Sequence, residues 1–281
     1  MNKREKGKGI SFTTVLLVLA FLAGLSLLLY PVISDYINSM HQSKVITSYS
    51  EYVATIDDEE YDKILQDAIE YNKTIKNRKN VYILDEEEIK RYNASLNVSG
   101  NGLMGYVEIP SINCTLPIYH GTGNTVLQTA IGHLEWTSLP TGGEGTHCVI
   151  SGHRGLPSAK LFTNLDKLQE GDVFMIRILD EVLTYQVDQI LIVEPDQIES
   201  LQIVDGKDYC TLFTCTPYGI NTHRMCVRGH RIENVEETKT MHITSEAMQI
   251  EPLIVAPIVA LPILLVVFLI IMMRPKKKDE E

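Results

Sequence analysis

Two long apolar runs bracket a chain whose middle alternates apolar and polar residues at shorter range. No charged residue lies between Ile10 and Ile33. A helix over that run is about 36 Å long at about 1.5 Å per residue, enough to cross a hydrocarbon core of about 30 Å. Leu253 to Met273 is uncharged as well, and Pro252, Pro257 and Pro262 bend a helix in lipid without forbidding one. Between Ser34 and about Asn80 the pattern is helical: Tyr61, Ile64, Leu65 and Ala68 recur at i, i+3, i+4 and i+7, with Asp and Glu between them. Lys76 to Asn97 is charged and irregular, with a short helix predicted around Glu86 to Tyr92. After Gly100-Asn101-Gly102 the texture changes. Met104–Ile109, Cys114–Tyr119, Thr146–Ser151, Val173–Leu179, Val182–Val193, Tyr209–Cys215 and Arg224–Ile232 read as short β-branched strands, separated by Gly, Pro, Asn or Asp. One helix, Ser158 to Leu168, is predicted among them. Seven or eight strands at this spacing imply a mainly β fold, a closed barrel or a sandwich.

Charge turns these elements into a topology. Lys3, Arg4, Lys6 and Lys8 precede the first run, and Arg274, Lys276, Lys277 and Lys278 follow the second. The positive-inside rule then places both termini in the cytoplasm and residues of about 35–250 on the far side. The first run is longer than the apolar core of a cleaved signal peptide, and no small-x-small site follows Tyr30, so an uncleaved anchor is expected. The resulting plan is a basic tail over 1–9, a transmembrane helix over 10–33 and a helical and irregular region over 34–97. A barrel follows over 98–235, a linker over 236–252, a second transmembrane helix over 253–273 and a cytoplasmic tail over 274–281. The net charge of −11 argues against a nucleic-acid partner, since neutralising phosphates takes a Lys/Arg face.

Candidate chemistry lies at strand ends. The cysteines are Cys114, Cys148, Cys210, Cys215 and Cys226, an odd count that leaves a free thiol on an oxidising side unless chains pair. No C-x-x-C and no calcium-loop spacing is present, so no metal or cofactor is expected. Cys215 ends an apolar strand and faces Thr216-Pro217-Tyr218-Gly219, accessible as a nucleophile must be, although a small core residue would look the same. His153 lies in Ser151-Gly-His-Arg-Gly, where a strand enters a turn; beside a thiol it forms a thiolate–imidazolium pair. His133, His147, His223 and His230 compete for that role. Arg224 begins the next strand, where a guanidinium could hydrogen-bond a developing oxyanion or simply make a surface ion pair.

Taken together, Thr211-Leu-Phe-Thr-Cys215, Arg224 downstream and a Gly-His upstream resemble the sortases, membrane-bound cysteine transpeptidases of Gram-positive bacteria. The class C, pilus-building branch is resembled most. The blocks that carry this are Asn97-Val-Ser-Gly-Asn-Gly-Leu-Met-Gly-Tyr-Val-Glu-Ile-Pro, Leu116-Pro-Ile-Tyr-His-Gly-Thr, Thr137-Ser-Leu-Pro-Thr-Gly-Gly-Glu-Gly-Thr-His, Ser151-Gly-His-Arg-Gly-Leu-Pro-Ser-Ala-Lys-Leu-Phe and Cys215-Thr-Pro-Tyr-Gly-Ile-Asn-Thr-His-Arg224. The resemblance implies an eight-stranded barrel with Cys215 as nucleophile, His153 as general acid/base and Arg224 stabilising oxyanion or substrate. It implies pilin partners that carry a Leu-Pro-x-Thr-Gly-like signal and an acceptor Lys. Two further readings are a sortase that uses a peptidoglycan amine and an inactive, membrane-tethered assembly protein. Class C enzymes commonly carry a lid with an Asp-Pro-aromatic motif. This chain contains no Asp-Pro, so either Tyr82 or Asp85 serves loosely or the site is open.

Overall fold

The structure, a computed structural model, describes residues 12–76 and 82–234 together with Leu264. It divides into two units, one of residues 1–33 with 242–281 and one of residues 34–241. The described part of the first unit is the apolar stretch of helix α1 (Phe12–Val53), which is long and apolar enough to cross a membrane. Its Leu16, Leu17, Leu19, Leu22, Leu27 and Leu28 side chains are all exposed. The apolar run 253–273, Leu264 apart, lies outside the described residues.

In the second unit, three helical segments precede a barrel and contribute to its core. The Ser34–Val53 portion of α1 buries Ile46, Tyr49 and Val53, three and four residues apart as a helical stripe demands. The Tyr49 hydroxyl donates to the Met104 carbonyl (2.9 Å) and accepts from the Leu179 N–H (2.8 Å). Helix α2 (Asp58–Lys76) has Asp58, Glu59 and Glu60 in its first turn and Lys73 and Lys76 in its last, charges that oppose the helix dipole. The periodic face foreseen from Tyr61 to Ala68 packs on the core, and Asn72 exchanges two hydrogen bonds with the Leu139 backbone (2.7 and 3.0 Å). Helix α3 (Glu86–Ala94) opens with a capping box: Asp85 accepts from the Glu88 N–H, and Glu88 accepts from the Asp85 N–H.

The barrel strands are β1 (Leu103–Ile109), β2 (Cys114–His120), β3 (Ile131–His133), β4 (Thr146–Ser151), β5 (Val173–Ile178), β6 (Glu181–Val193), β7 (Asp208–Thr216) and β8 (His223–Arg231). They close in the order β1-β2-β3-β4-β7-β8-β6-β5. The β2–β3 and β4–β7 pairs are parallel and the rest antiparallel. The seven strands read from sequence agree with these to within a residue at each end. β3 was absent from that reading, because three residues are too few for a period-two signal. Its existence rests on pairing with β2 on one side and β4 on the other.

The helix expected over Ser158–Leu168 is not formed; this is a correction. The segment holds a bridge between Leu156 and Ala159 and a single 3-10 turn at Leu165–Lys167. The Phe162 N–H, which would close the first helical turn onto Ser158, donates instead to the His153 carbonyl (3.1 Å), and side chains of α1 hold the neighbouring backbone. Asn38 donates to the Ser158 carbonyl (2.7 Å), and Asp35 accepts from the Lys160 N–H (2.7 Å). Leu161, Phe162, Leu165 and Leu168 still enter the core, so their spacing reflects burial rather than a helix.

Closure of the barrel between β1 and β5 places Gly105 against backbone: a Cβ there would sit 2.2 Å from the Arg177 carbonyl oxygen. Because the obstacle is a strand rather than a mobile side chain, Gly105→Ala is expected to cost about 3 kcal/mol. The loss should appear as a melting temperature lowered by roughly 6–12 °C. A melting curve unchanged from wild type would contradict the tightness of this seam.

Candidate active site

Strand alternation sorts the side chains of β4 and β7. Cys148, Ile150, Cys210 and Leu212 enter the main core, whereas Val149, Phe213 and Cys226 join a second cluster with Leu191, Val193 and Trp136. With a side-chain period of two, the second cluster covers the outside of the barrel. Cys215 follows Phe213 by two residues and Arg224 precedes Cys226 by two, so both belong to this outer face. They are also direct partners across β7 and β8.

His153 arrives from the other side of β7. The parallel β4–β7 ladder pairs Ser151 with Phe213. It is prolonged past the strand by the Gly152 N–H on the Phe213 carbonyl (3.1 Å) and the Thr214 hydroxyl on the Gly152 carbonyl (2.7 Å). His153 lies two residues beyond Ser151 as Cys215 lies two beyond Phe213, so the chain leaves β4 for His153 beside the end of β7 that carries Cys215. The structure thus pairs Cys215 directly with Arg224 and leads the backbone at His153 along the same end of β7.

Of the four competing histidines, His223 adjoins Arg224 and faces Glu194 at 3.2 Å, and the other three are engaged elsewhere. His133 is buried, with Nδ1 3.1 Å from the Tyr92 hydroxyl and Nε2 2.8 Å from the Ser138 carbonyl. His147 lies between the Gln202 carbonyl (2.9 Å) and the Thr211 hydroxyl (2.7 Å), and burial lowers its pKa to about 4. His230 faces Asp188 at 3.8 Å. Among the thiols, burial pushes Cys114 up to about 12, Cys226 up to about 11 and Cys210 well above its ordinary value. Cys148 and Cys210 are partners in the β4–β7 ladder, inside the barrel. Cys215 is partly exposed.

Several neighbours escaped the sequence reading. Arg154 Nη1 donates to the Thr216 hydroxyl (3.0 Å), and its Nη2 pairs with Asp166, fastening the turn after His153 to the end of β7. An Arg in the same short motif as the His was the available signal; its partner twelve residues on was not. Arg224 Nη1 donates to the carbonyls of Asn221 (3.2 Å) and His223 (3.1 Å). A guanidinium has five N–H donors, so this anchoring leaves others for a ligand. Gly155 has φ +78°, and a Cβ there would meet the Tyr218 ring at 3.1 Å, so that ring crosses the turn after His153. Tyr218 and Ile220, 59% and 67% exposed, give this rim an apolar border.

Of the two residues considered for a lid, Asp85 is the N-cap of α3. Tyr82 stands edge-on to Trp136 (5.1 Å between centroids), and its hydroxyl accepts from Gln202 at 3.5 Å. Residues 77–81 lie outside the described part. Among the described residues no group of three or more His, Cys, Asp or Glu is placed to hold a metal ion. A partly exposed thiol paired across two strands with a guanidinium is equipment suited to acyl transfer through a thioester.

A family model described as the Sortase domain matches residues 107–232. Of three curated relatives, all sortases, the chain spans between 41% and 63% of the length. Solved structures match more fully. Sortase C1 from Streptococcus agalactiae is 53% identical with a TM-score of 0.66, over 68% of this chain and 100% of that one. Sortase C of Clostridium perfringens, solved with the C-terminal cell wall sorting motif, is 46% identical with a TM-score of 0.61, over 68% and 100%. Streptococcus pneumoniae sortase C, whose structure is described as bearing on catalysis and pilin substrate specificity, is 45% identical with a TM-score of 0.60, over 68% and 97%. With an eight-stranded closed barrel throughout that shared span, this chain belongs to the sortase family of cysteine transpeptidases, and its structural neighbours are class C sortases.

Proposed function

We propose that this chain polymerises pilins. The Cys215 thiolate attacks the Thr–Gly carbonyl of a Leu-Pro-x-Thr-Gly-like signal, forming a C–S bond and a tetrahedral oxyanion that Arg224 holds through N–H donors. Collapse breaks the C–N bond, and His153 delivers a proton to the departing Gly amine. The thioester retains the energy of the cleaved amide. A Lys ε-amine of a second pilin then attacks it, His153 takes the amine's proton, and an isopeptide bond forms as the thiolate leaves. Each step uses side chains of this chain and its two substrates alone. The observation that carries the reading is the pairing of Cys215 with Arg224 across β7 and β8, and the β4–β7 register, which ends two residues before His153 and Cys215 alike, supports His153 as their partner.

Further support for a pilin substrate comes from the pneumococcal relative, and for a cell-wall sorting motif from the clostridial one. The same proposal includes a two-pass anchor, α1 and the run 253–273, with both termini cytoplasmic and the barrel outside.

The test is the intact mass of the full chain in detergent after incubation with a Leu-Pro-x-Thr-Gly peptide. An adduct of the Leu-Pro-x-Thr portion is expected in wild type and absent in Cys215→Ala. His153→Ala should slow its formation by about 10²–10⁴-fold, the usual weight of general acid–base catalysis. Arg224→Lys should slow it by about 10²–10³-fold, since an ammonium lacks the planar fork. An adduct on Cys215→Ala would refute the nucleophile. A small alkylating reagent should label Cys215 before any other cysteine, and Cys148, Cys210 and Cys226 only on unfolding; peptide mapping of early label at those three would contradict their burial.

A further inference from the structure

One interaction on this rim is used by no step of the proposed reaction. The β6–β8 ladder ends where Val193 pairs with Arg224, so Glu194 leaves the sheet next to His223. Glu194 Oε1 lies 3.2 Å from His223 Nε2, and the Thr222 hydroxyl lies 2.9 Å from Nδ1 of the same ring. Both ring nitrogens therefore have partners, and with the Thr222 hydroxyl donating to Nδ1 it is Nε2–H that faces the Glu194 carboxylate.

The backbone of the same residue holds the guanidinium. The His223 carbonyl accepts from Arg224 Nη1 at 3.1 Å and the Asn221 carbonyl does so at 3.2 Å, from a residue at φ 61°. The Asn221 N–H in turn donates to the Pro217 carbonyl (2.9 Å). Two carbonyls thus aim Arg224, one from the 217–222 turn and one from His223 at the start of β8, and the His223 side chain reaches Glu194 just past the end of β6.

We infer that Glu194 and His223 form a strap between the end of β6 and the start of β8 that positions the Arg224 guanidinium. They are positioning residues, and the inference rests on the role given above to Arg224. The pair is open to solvent, 55% exposed at Glu194 and 41% at His223, and ion pairs of that kind contribute little to global stability. Its effect falls instead on geometry at the reacting centre, where small misplacements are costly in rate.

The experiment uses the full chain in detergent, a Leu-Pro-x-Thr-Gly peptide for single-turnover thioester formation, and the Arg224 side-chain N–H signal in protein labelled with ¹⁵N-arginine. Glu194→Ala and His223→Ala are each expected to slow thioester formation about three- to tenfold, shift or broaden the Arg224 signal and leave the melting temperature unchanged. His223→Gln, whose amide still donates to Glu194, should restore both rate and signal. Wild-type rates in both alanine variants, or an unmoved Arg224 signal, would overturn the strap. A wild-type rate in Arg224→Ala, with the signal still displaced by Glu194→Ala, would instead overturn the role of Arg224 and leave the strap as geometry.

Discussion

The parallel pairing of β4 with β7 is the constraint on which the site depends. Their ladder runs from Thr146 opposite Asp208 to Ser151 opposite Phe213. A slip of one residue would turn every side chain of one strand to the opposite face, bringing Leu212 out and Cys215 in. That cost fixes the register, because Cys148 and Ile150 on one strand and Cys210 and Leu212 on the other are all buried. The thiol therefore owes its exposure to the burial of its neighbours. Hydrogen bonds past the strand ends, from Gly152, Thr214 and Arg154, carry the register into the turn that holds His153.

The segments before the barrel belong to the same packing unit, which runs from Ser34 to Met241. α1 inserts Tyr49 and α2 inserts Asn72. α3 inserts Tyr92, whose hydroxyl accepts from the Gly121 N–H (2.9 Å) while its ring packs against His133 and His120. His120 then lies between the carbonyls of Ser95 (2.7 Å) and Gly102 (2.9 Å), joining the end of α3 to the start of β1. The change of texture at Gly100 thus marks a change of secondary structure rather than an edge of the core. The contacts of Asp35 and Asn38 with the 158–160 backbone have a similar consequence: the helix that begins in the apolar run also shapes the loop that follows His153.

By itself the sequence determined whatever is local in period. Seven of eight strands, the stripe on α2, the short helix around Glu86 to Tyr92 and the apolar run at the N-terminus follow from spacing and composition within a few residues. Cys215, His153 and Arg224 stood out at strand ends that meet Gly- or Pro-bearing turns, and it was the resemblance of the surrounding blocks to sortases, not spacing alone, that suggested roles for them. The tertiary structure alone decided what depends on remote partners. β3 exists because two distant strands flank it, and 158–168 is not a helix because the Phe162 N–H bonds back to His153 and α1 takes the Ser158 carbonyl. His133 and His147 are withdrawn from competition by burial that no local pattern announces. The strap from Glu194 to His223 and the Arg154–Thr216 bond join residues whose proximity is set only when β6, β7 and β8 close the barrel. Periodicity is written along the chain; register and closure arise between segments far apart along it.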